Sequence, residues 1–337
     1  MKPNTLSLVL FALLTYFATM LGMEAVVPPP DGGYPSFNTA EGQKSLFSLT
    51  SGVANTALGW YSLFSNTDGS FNTGVGAGTL VLNVGDQFTG DGTENTAVGT
   101  AALLFNSTGA KNTAVGSTAL ENNDTGLNNT AVGAAALLHN DTGQGNTAIG
   151  FDALLNNTTG NFNIALGVFA GFQQITGNGN VYIGVNGGIP GESNACYIKS
   201  IFGQTSVNGA PVLINSDNRL GTLPSSKRFK QDIKAMDKAS EALFALKPVS
   251  FRYKKEMDPA GTSQLGLVAE DVEKVNPDLV VRDKEGKPYT VRYDQVNAML
   301  LNEFLKEHRR NEEQQKQINV LTAQLKEKAA QIQKSRR

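Results

Sequence analysis

The segment NTAVGSTALENNDTGL, residues 112–127, contains the pattern that decides the fold of the first part of the chain. It begins with an N-x-x-φ-G motif, where φ is apolar, continues with the apolar pair Ala119 and Leu120, and closes with an N-D-T-G turn. The motif recurs at Asn55, Asn72, Asn95, Asn112, Asn129, Asn146, Asn163 and Asn180, at intervals of 17, 23, 17, 17, 17, 17 and 17 residues. A fixed period of this kind indicates a repeat protein.

Each 17-residue unit is predicted to form two short strands and two turns. The recurrent Asn and Gly are typical of turn positions that need left-handed backbone angles. One unit buries too little apolar surface to fold alone, so we expect eight units to stack into one sheet and core. The sequence therefore predicts a mainly β N-terminal solenoid over residues 55–188. Helical repeats, suggested by Ala-Ala-Leu-Leu pieces such as 101–104, are disfavoured by the frequent glycines.

The N-x-x-φ-G units resemble the head repeats of trimeric autotransporter adhesins. The resemblance covers about residues 55–188. It implies a left-handed parallel β-roll that associates as a homotrimer, although those heads usually have a shorter period than 17 residues.

The net charge and the glycine content of the chain both change near residue 224. Residues 1–224 contain 5 Lys+Arg and 13 Asp+Glu (5 − 13 = −8), whereas residues 225–337 contain 23 and 17 (23 − 17 = +6). Only 3 of the 36 glycines follow residue 224. We therefore expect two modules, with 26–54 as a lead-in to the repeats and 189–224 as a β connector. The small net charge and interleaved signs provide no basic field, so no nucleic-acid partner is expected.

Metal and redox chemistry are disfavoured by the residue types present. One cysteine, Cys196, and two histidines, His139 and His308, are too few for a Cys/His zinc site, and no cofactor is expected. We predict that Cys196 is a buried apolar residue and that His139 is exposed.

The acidic residues and the N-x-T sequences of the repeats are both explained by the recurrence of the repeat and its turn. A pair among Asp124, Asp141 and Asp152 would be needed for a solenoid enzyme that cleaves glycans, but these acids follow the repeat pattern and are predicted to be solvated. The N-x-T sequences are interpreted as recurrent turns rather than glycan acceptors. They begin at Asn106, Asn123, Asn140 and Asn157, among others.

The N-terminus has the order of a secretory signal. Lys2 precedes the apolar run 6–21, which is followed by small residues and by the prolines 28–30. We predict a signal peptide over 1–25 and an exported protein, secreted or on the cell surface; a retained anchor is the alternative. No later apolar stretch is long enough to span a bilayer, so no stable membrane span is expected after signal removal.

A second module begins at Ser225, and its motifs occur in a specific order. These are SSKRFKQDI (225–233), LKPVSFRYK (246–254), QLGLVAEDVEKVNPDLV (264–280) and KPYTVRYDQVNAMLLNEFLKE (287–307). As a set they resemble the intramolecular chaperone auto-processing domain of phage endosialidase tailspikes and other trimeric fibres. The resemblance covers residues 225–307 and implies a small α+β chaperone domain that assists trimer assembly.

The same resemblance implies a self-cleavage site. Ser225 would be the nucleophile, Lys230 its base and Pro224–Ser225 the cleaved bond. A serine hydroxyl needs a base, and lysine becomes one only when burial lowers its pKa. Five residues do not place two side chains on the same face of a helix or strand, so the segment must bend or another chain must contribute. The residues alone would also fit a polar helix start.

The chain ends in a polar helical segment. Phe304, Asn311, Ile318, Leu325 and Ile332 recur every seven residues, which predicts a short coiled coil over 308–337. A solvated single helix is the alternative.

Together these observations predict an exported homotrimeric fibre whose C-terminal chaperone cleaves itself off once and has no external substrate. Its repetitive surface would suit multivalent attachment to a cell-surface, glycan or matrix ligand. The alternatives are a prophage-type tail fibre or receptor-binding protein, a glycan-degrading enzyme, and an uncleaved fibre with a permanent trimerisation clamp.

Overall fold

The computed structural model describes residues 35–335, which fall into two compact units divided between Thr205 and Ser206. The predicted signal peptide, 1–25, lies outside the described residues.

The first unit is a β-solenoid of about nine turns. Each turn contributes one three-residue strand to a ten-stranded parallel sheet whose strand order follows the sequence. The strands are β1 (Thr39–Glu41), β2 (Thr56–Leu58), β3 (Thr73–Val75), β4 (Thr96–Val98), β5 (Thr113–Val115), β6 (Thr130–Val132), β7 (Thr147–Ile149), β8 (Ile164–Leu166), β9 (Val181–Ile183) and β10 (Cys196–Ile198). Equivalent residues pair directly, as Thr113 does with Thr130 and Val115 with Val132. The predicted mainly β solenoid is confirmed.

The prediction of a second strand in each unit is wrong. The second apolar segment is a run of turns that contains a buried leucine, and these leucines have positive φ values between 48° and 54°. Its backbone still bonds the next coil, for example from Leu120 N–H to Ala136 O at 3.0 Å. Left-handed leucine is costly and persists only where its surroundings impose it. Here burial of the side chain and the bond to the next coil impose it.

The core of the solenoid consists of columns of identical residues. The middle residue of each strand is usually alanine, and a leucine from the second segment faces it; both are fully buried in most coils. The alanines include Ala97, Ala114, Ala131 and Ala148, and the leucines include Leu103, Leu120, Leu137 and Leu154. Burying one leucine contributes about 1.5–3 kcal/mol. Because each residue packs on its own equivalent, the core is continuous although no unit could form it alone.

The prediction that the motif asparagine is a left-handed turn residue is wrong. Its side chain belongs to a buried ladder of hydrogen bonds instead. In one representative coil, Asn112 Nδ2 donates to Gly126 O at 2.8 Å, and Asn112 Oδ1 accepts from Asn129 N–H at 3.0 Å. Positive φ occurs instead at the preceding residue, such as Lys111 (60°). The prediction is confirmed for the motif glycine: Gly116 has φ 141°, and a Cβ there would lie 2.4 Å from Gly133 O.

The asparagines of the N-x-T sequences form a second buried ladder. Asn123 Nδ2 donates to Asn106 Oδ1 at 2.8 Å and to Gly126 O at 3.0 Å. Asn106, Asn123, Asn140 and Asn157 are all fully buried. Their recurrence is structural, and their amides are inaccessible in the folded chain.

In the last coils, two core positions change together, one to a larger residue and one to a smaller residue. Tyr182 takes the place of the core alanine, and Gly171 takes the place of the core leucine. A Cβ at Gly171 would lie 2.7 Å from the Tyr182 ring. Tyr197 stacks on Tyr182 with ring centroids 5.7 Å apart. Burial raises the pKa of Tyr182 to about 12, with Glu192 adding to the shift.

The second unit is a small α+β module followed by a long helix. It contains the hairpins β11 (Leu213–Ile214) with β12 (Leu220–Gly221), β13 (Val249–Phe251) with β14 (Gln264–Gly266), and β15 (Val280–Arg282) with β16 (Pro288–Val291). Its helices are α1 (Ala269–Val275), α2 (Tyr293–Ser335) and the 3₁₀ helices Lys227–Phe229, Asp237–Ala245 and Pro277–Leu279. The core contains Val272, Leu279, Val280, Val291, Val296 and Met299.

The C-terminal helix begins at Tyr293 and runs without interruption to Ser335. Val296 and Met299 are buried in the module, whereas residues 307–335 are exposed on every side in the single chain. Within residues 35–335, no helix has both the length and the apolar character that crossing a membrane requires.

Candidate functional site

The segment from Ser225 to Lys230 contains one 3₁₀ turn between the two residues of the predicted dyad. Ser226 precedes one 3₁₀ turn, Lys227–Phe229, and the Phe229 N–H donates to Ser226 O at 3.0 Å. The Lys230 N–H closes the turn on Lys227 O at 3.1 Å, and Lys230 itself is extended. One 3₁₀ turn therefore separates the two candidate residues along the chain.

Both candidate residues line one open cleft of about 620 Å³. Its lining residues are Ser225, Lys227, Lys230, Gln231, Asp232 and Ile233. All six are exposed in the single chain. Lysine accepts a proton at neutral pH only where burial disfavours its charged form. In the single chain both residues thus border one open cleft and lack the burial that general-base chemistry needs.

A buried polar cluster joins the 3₁₀ helix Asp237–Ala245 to α2. Ser240 is fully buried; its Oγ contacts Glu303 and accepts from Asn302 Nδ2 at 2.6 Å. Lys306 Nζ bonds Glu303 Oε1 at 2.7 Å. Lys306, and then Ser240, lower the pKa of Glu303. Sequence reasoning missed this cluster, although the i,i+3 spacing of Glu303 and Lys306 indicates an ion pair on a helix.

The outer face of the solenoid sheet carries a continuous apolar stripe. The third residue of each strand from β2 to β10 is apolar and partly or largely exposed. We call this set the strand-face stripe; it comprises Leu58, Val75, Val98, Val115, Val132, Ile149, Leu166, Ile183 and Ile198. Contiguous exposed apolar surface of this kind is typical of interaction sites.

The other residues considered from sequence are not part of the cleft or the polar cluster. Asp124 contacts the Ser107 hydroxyl, and burial raises the pKa of Asp152. His139 is exposed, as predicted. Cys196 is exposed, so its predicted burial is wrong: it occupies the first position of β10, where an outward-facing threonine stands in most earlier strands.

The fold defines a chain with a repeat-built β-solenoid followed by a small α+β module. Residues 225–281 match the model of the Peptidase_S74 family, described as chaperone of endosialidase. The match begins at Ser225 itself and confirms the resemblance inferred from the motifs over these residues. Among curated proteins and solved structures, none matches the chain.

Proposed function

We propose that the protein is an exported homotrimeric fibre whose C-terminal chaperone domain promotes trimer assembly and then cleaves itself off at Pro224–Ser225. The observation that carries this proposal is the start of the chaperone-of-endosialidase match at Ser225, directly after a β-solenoid. The solenoid would be the mature fibre, and the cut would release residues 225–337 (337 − 225 + 1 = 113 residues).

The proposed cleavage needs only groups of this chain and water. Ser225 Oγ attacks the carbonyl carbon of Pro224 while Lys230 takes the hydroxyl proton. The peptide C–N bond breaks, the Ser225 amine takes up a proton, and the Pro224 acyl group becomes an ester on Ser225 Oγ. Water then hydrolyses the ester, leaving a Pro224 carboxylate and a free Ser225 hydroxyl.

Two groups that are exposed in the single chain support the proposal that assembly precedes cleavage. Lys230 is exposed in the single chain, so the burial that makes it a base must come from another copy. The strand-face stripe is likewise exposed in the single chain and would be covered by trimerisation. Assembly would then bring the cleavage chemistry into operation.

The test is intact mass measured together with oligomeric mass by light scattering. Wild-type protein is expected to yield a fragment that begins at Ser225, and Ser225→Ala and Lys230→Ala are expected to remain whole trimers. Lys227→Ala, which alters another lysine of the same cleft, should be cut at the wild-type rate. A whole wild-type trimer would contradict self-cleavage and leave a permanent clamp; a monomer would contradict the fibre itself.

A further inference from the structure

An exposed aromatic cluster lies near the N-terminal end of the solenoid. Ring centroids are 5.4 Å apart for Phe47 and Phe64, 4.7 Å for Tyr61 and Phe64, and 4.3 Å for Trp60 and Tyr61. Lys44 Nζ lies over three of these rings, 5.2 Å from the Tyr61 centroid. Phe47 and Trp60 nevertheless remain 65% and 55% exposed. Large exposed rings held in fixed orientations are typical of binding surfaces.

A second aromatic cluster occupies the same repeat positions farther along the solenoid. Trp60 and Phe151 each follow a motif glycine, and Phe64 and Phe172 each lie five residues after one. Phe151 contacts Phe169 with centroids 5.5 Å apart, and Phe169 contacts Phe172 at 5.7 Å. Aromatic residues thus return at equivalent positions near both ends of the repeat region.

A backbone ladder connects the two clusters. In each coil the N–H of the second residue after the motif glycine donates to the carbonyl oxygen of the first residue after the motif glycine of the preceding coil. The ladder begins with Gly78 N–H to Trp60 O (2.8 Å) and ends with Phe169 N–H to Phe151 O (2.9 Å). Five strand steps separate β2 from β7, or about 24 Å at 4.7–4.9 Å a step. Between the clusters the ladder carries only small side chains. They are Ala77, Thr100, Ala101, Ser117, Thr118, Ala134 and Ala135, with Gly78.

We call the residues one, two and five positions after each motif glycine the aromatic face; they are distinct from the strand-face stripe, whose residue in each coil stands one position before that glycine. The middle residue of each strand points inward from one side, and the buried pair three and four residues after the glycine, such as Ala136 and Leu137, points inward from the other. Residues one, two and five after the glycine flank that buried pair and are exposed or partly exposed in most coils. This face is therefore accessible in the single chain.

The chemistry of the aromatic face selects its ligand. Aromatic ring faces pack against the C–H faces of sugar rings, and the hydroxyls of Thr100, Ser117 and Thr118 between the clusters can bond sugar hydroxyls. Residues 35–188 contain 2 lysines and 9 acids (2 − 9 = −7), which disfavours a negatively charged chain. The residues between the clusters combine these hydroxyl groups with small side chains and with aliphatic residues at the fifth position, such as Leu104 and Leu138.

We propose that the two aromatic clusters together bind an extended, uncharged polysaccharide that lies along the solenoid. The proposal deepens the fibre proposal by naming its ligand class, and rests on it only for access to such a polymer outside the cell.

The experiment uses the only tryptophan of the chain as its probe, because Trp60 lies in the first cluster. The full chain is titrated with a β-glucan, a galactomannan and a mannan, and with hyaluronan as a charged polymer, while Trp60 emission is followed. Affinity electrophoresis in gels containing the same polymers gives the dissociation constants of the variants. We expect binding to at least one uncharged polymer, and at least ~10-fold weaker binding for Trp60→Ala and for Phe151→Ala.

Phe162→Ala is the matched control, because Phe162 is 69% exposed but lies outside the two clusters. It should bind like wild type. Retardation by none of the uncharged polymers, preference for hyaluronan, or equal weakening in Phe162→Ala would each overturn the proposal. Oligomeric mass and cleavage measured on the same samples test the fibre proposal separately, since neither depends on the aromatic residues.

Discussion

Individual asparagines explain why this solenoid keeps so strict a repeat. A side-chain amide at the motif position bonds a glycine carbonyl and the backbone N–H of the next asparagine, as Asn112 does with Gly126 and Asn129. An aspartate could not donate to the carbonyl, and a glutamine would be one methylene too long. The motif asparagine is thus required by its hydrogen bonds, whereas the motif glycine is required by close backbone approach.

Asn112→Ala is therefore expected to destabilise the solenoid strongly. It leaves the buried Asn129 N–H without its acceptor, which costs ~1–3 kcal/mol, and removes one of the two amide donors to the Gly126 carbonyl, which keeps Asn123. Asn122→Ala in the same coil removes a partly exposed side chain whose amide bonds Leu138 O at 3.2 Å, and should have a much smaller effect. Thermal unfolding followed by circular dichroism compares the two. Equal losses would show that the buried ladder is not what stabilises the repeat.

The sequence pattern located the recurrent asparagines and leucines of the solenoid, but it did not predict their structural roles. The period identified the solenoid because equivalent residues must stack in any such fold. It did not distinguish a buried amide from a turn residue, because asparagine suits both. The left-handed leucines were also missed, because hydrophobic alternation reports which residues are buried and not the sign of φ. The bend between Ser225 and Lys230 could only be stated as a requirement, since local spacing does not determine tertiary approach.

Among the elements, helix α2 has two parts with different environments. Its first turns pack on the module through Val296, Met299 and the Ser240–Glu303–Lys306 cluster. Its remaining length is exposed and carries the apolar heptad positions, including Ile318, Leu325 and Ile332. The cluster therefore lies where the helix leaves the module.

The Glu303 interaction should make α2 anchoring depend on pH. The pKa of Glu303 is lowered in the folded state, so its contribution to stability is present above the unfolded pKa of about 4.3 and is lost as pH falls through the folded value. Glu303→Gln should lower the melting temperature at pH 7, and the difference from wild type should shrink at pH 3. Glu307→Gln, which breaks an exposed pair with Arg310, should change little at either pH. A difference for Glu303→Gln that is the same at both pH values would contradict this account.

For the molecule as a whole, the two faces of the solenoid imply different roles. The strand-face stripe runs through nine strands and is the surface through which we propose that copies of the chain associate. Val132→Lys places a charge in the middle of this stripe, whereas His139→Lys changes an exposed residue of the same coil outside the stripe. We expect Val132→Lys alone to weaken the proposed trimer, by ~10-fold or more in dissociation constant because a buried unpaired charge costs several kcal/mol. Light scattering across a dilution series measures this; dissociation of both variants alike, or of neither, would place the interface elsewhere.

The equivalence of the coils also has an evolutionary consequence. The units that begin at Asn95, Asn112 and Asn129 share the string NTAVG, and the residues of each coil meet their own counterparts above and below. Duplicating or deleting one unit in frame would leave every kind of contact unchanged and alter the length of the shaft by about 4.7–4.9 Å. Tandem coding repeats recombine readily, so slippage at the level of the gene could adjust the reach of the fibre in small, fixed increments without any new packing solution.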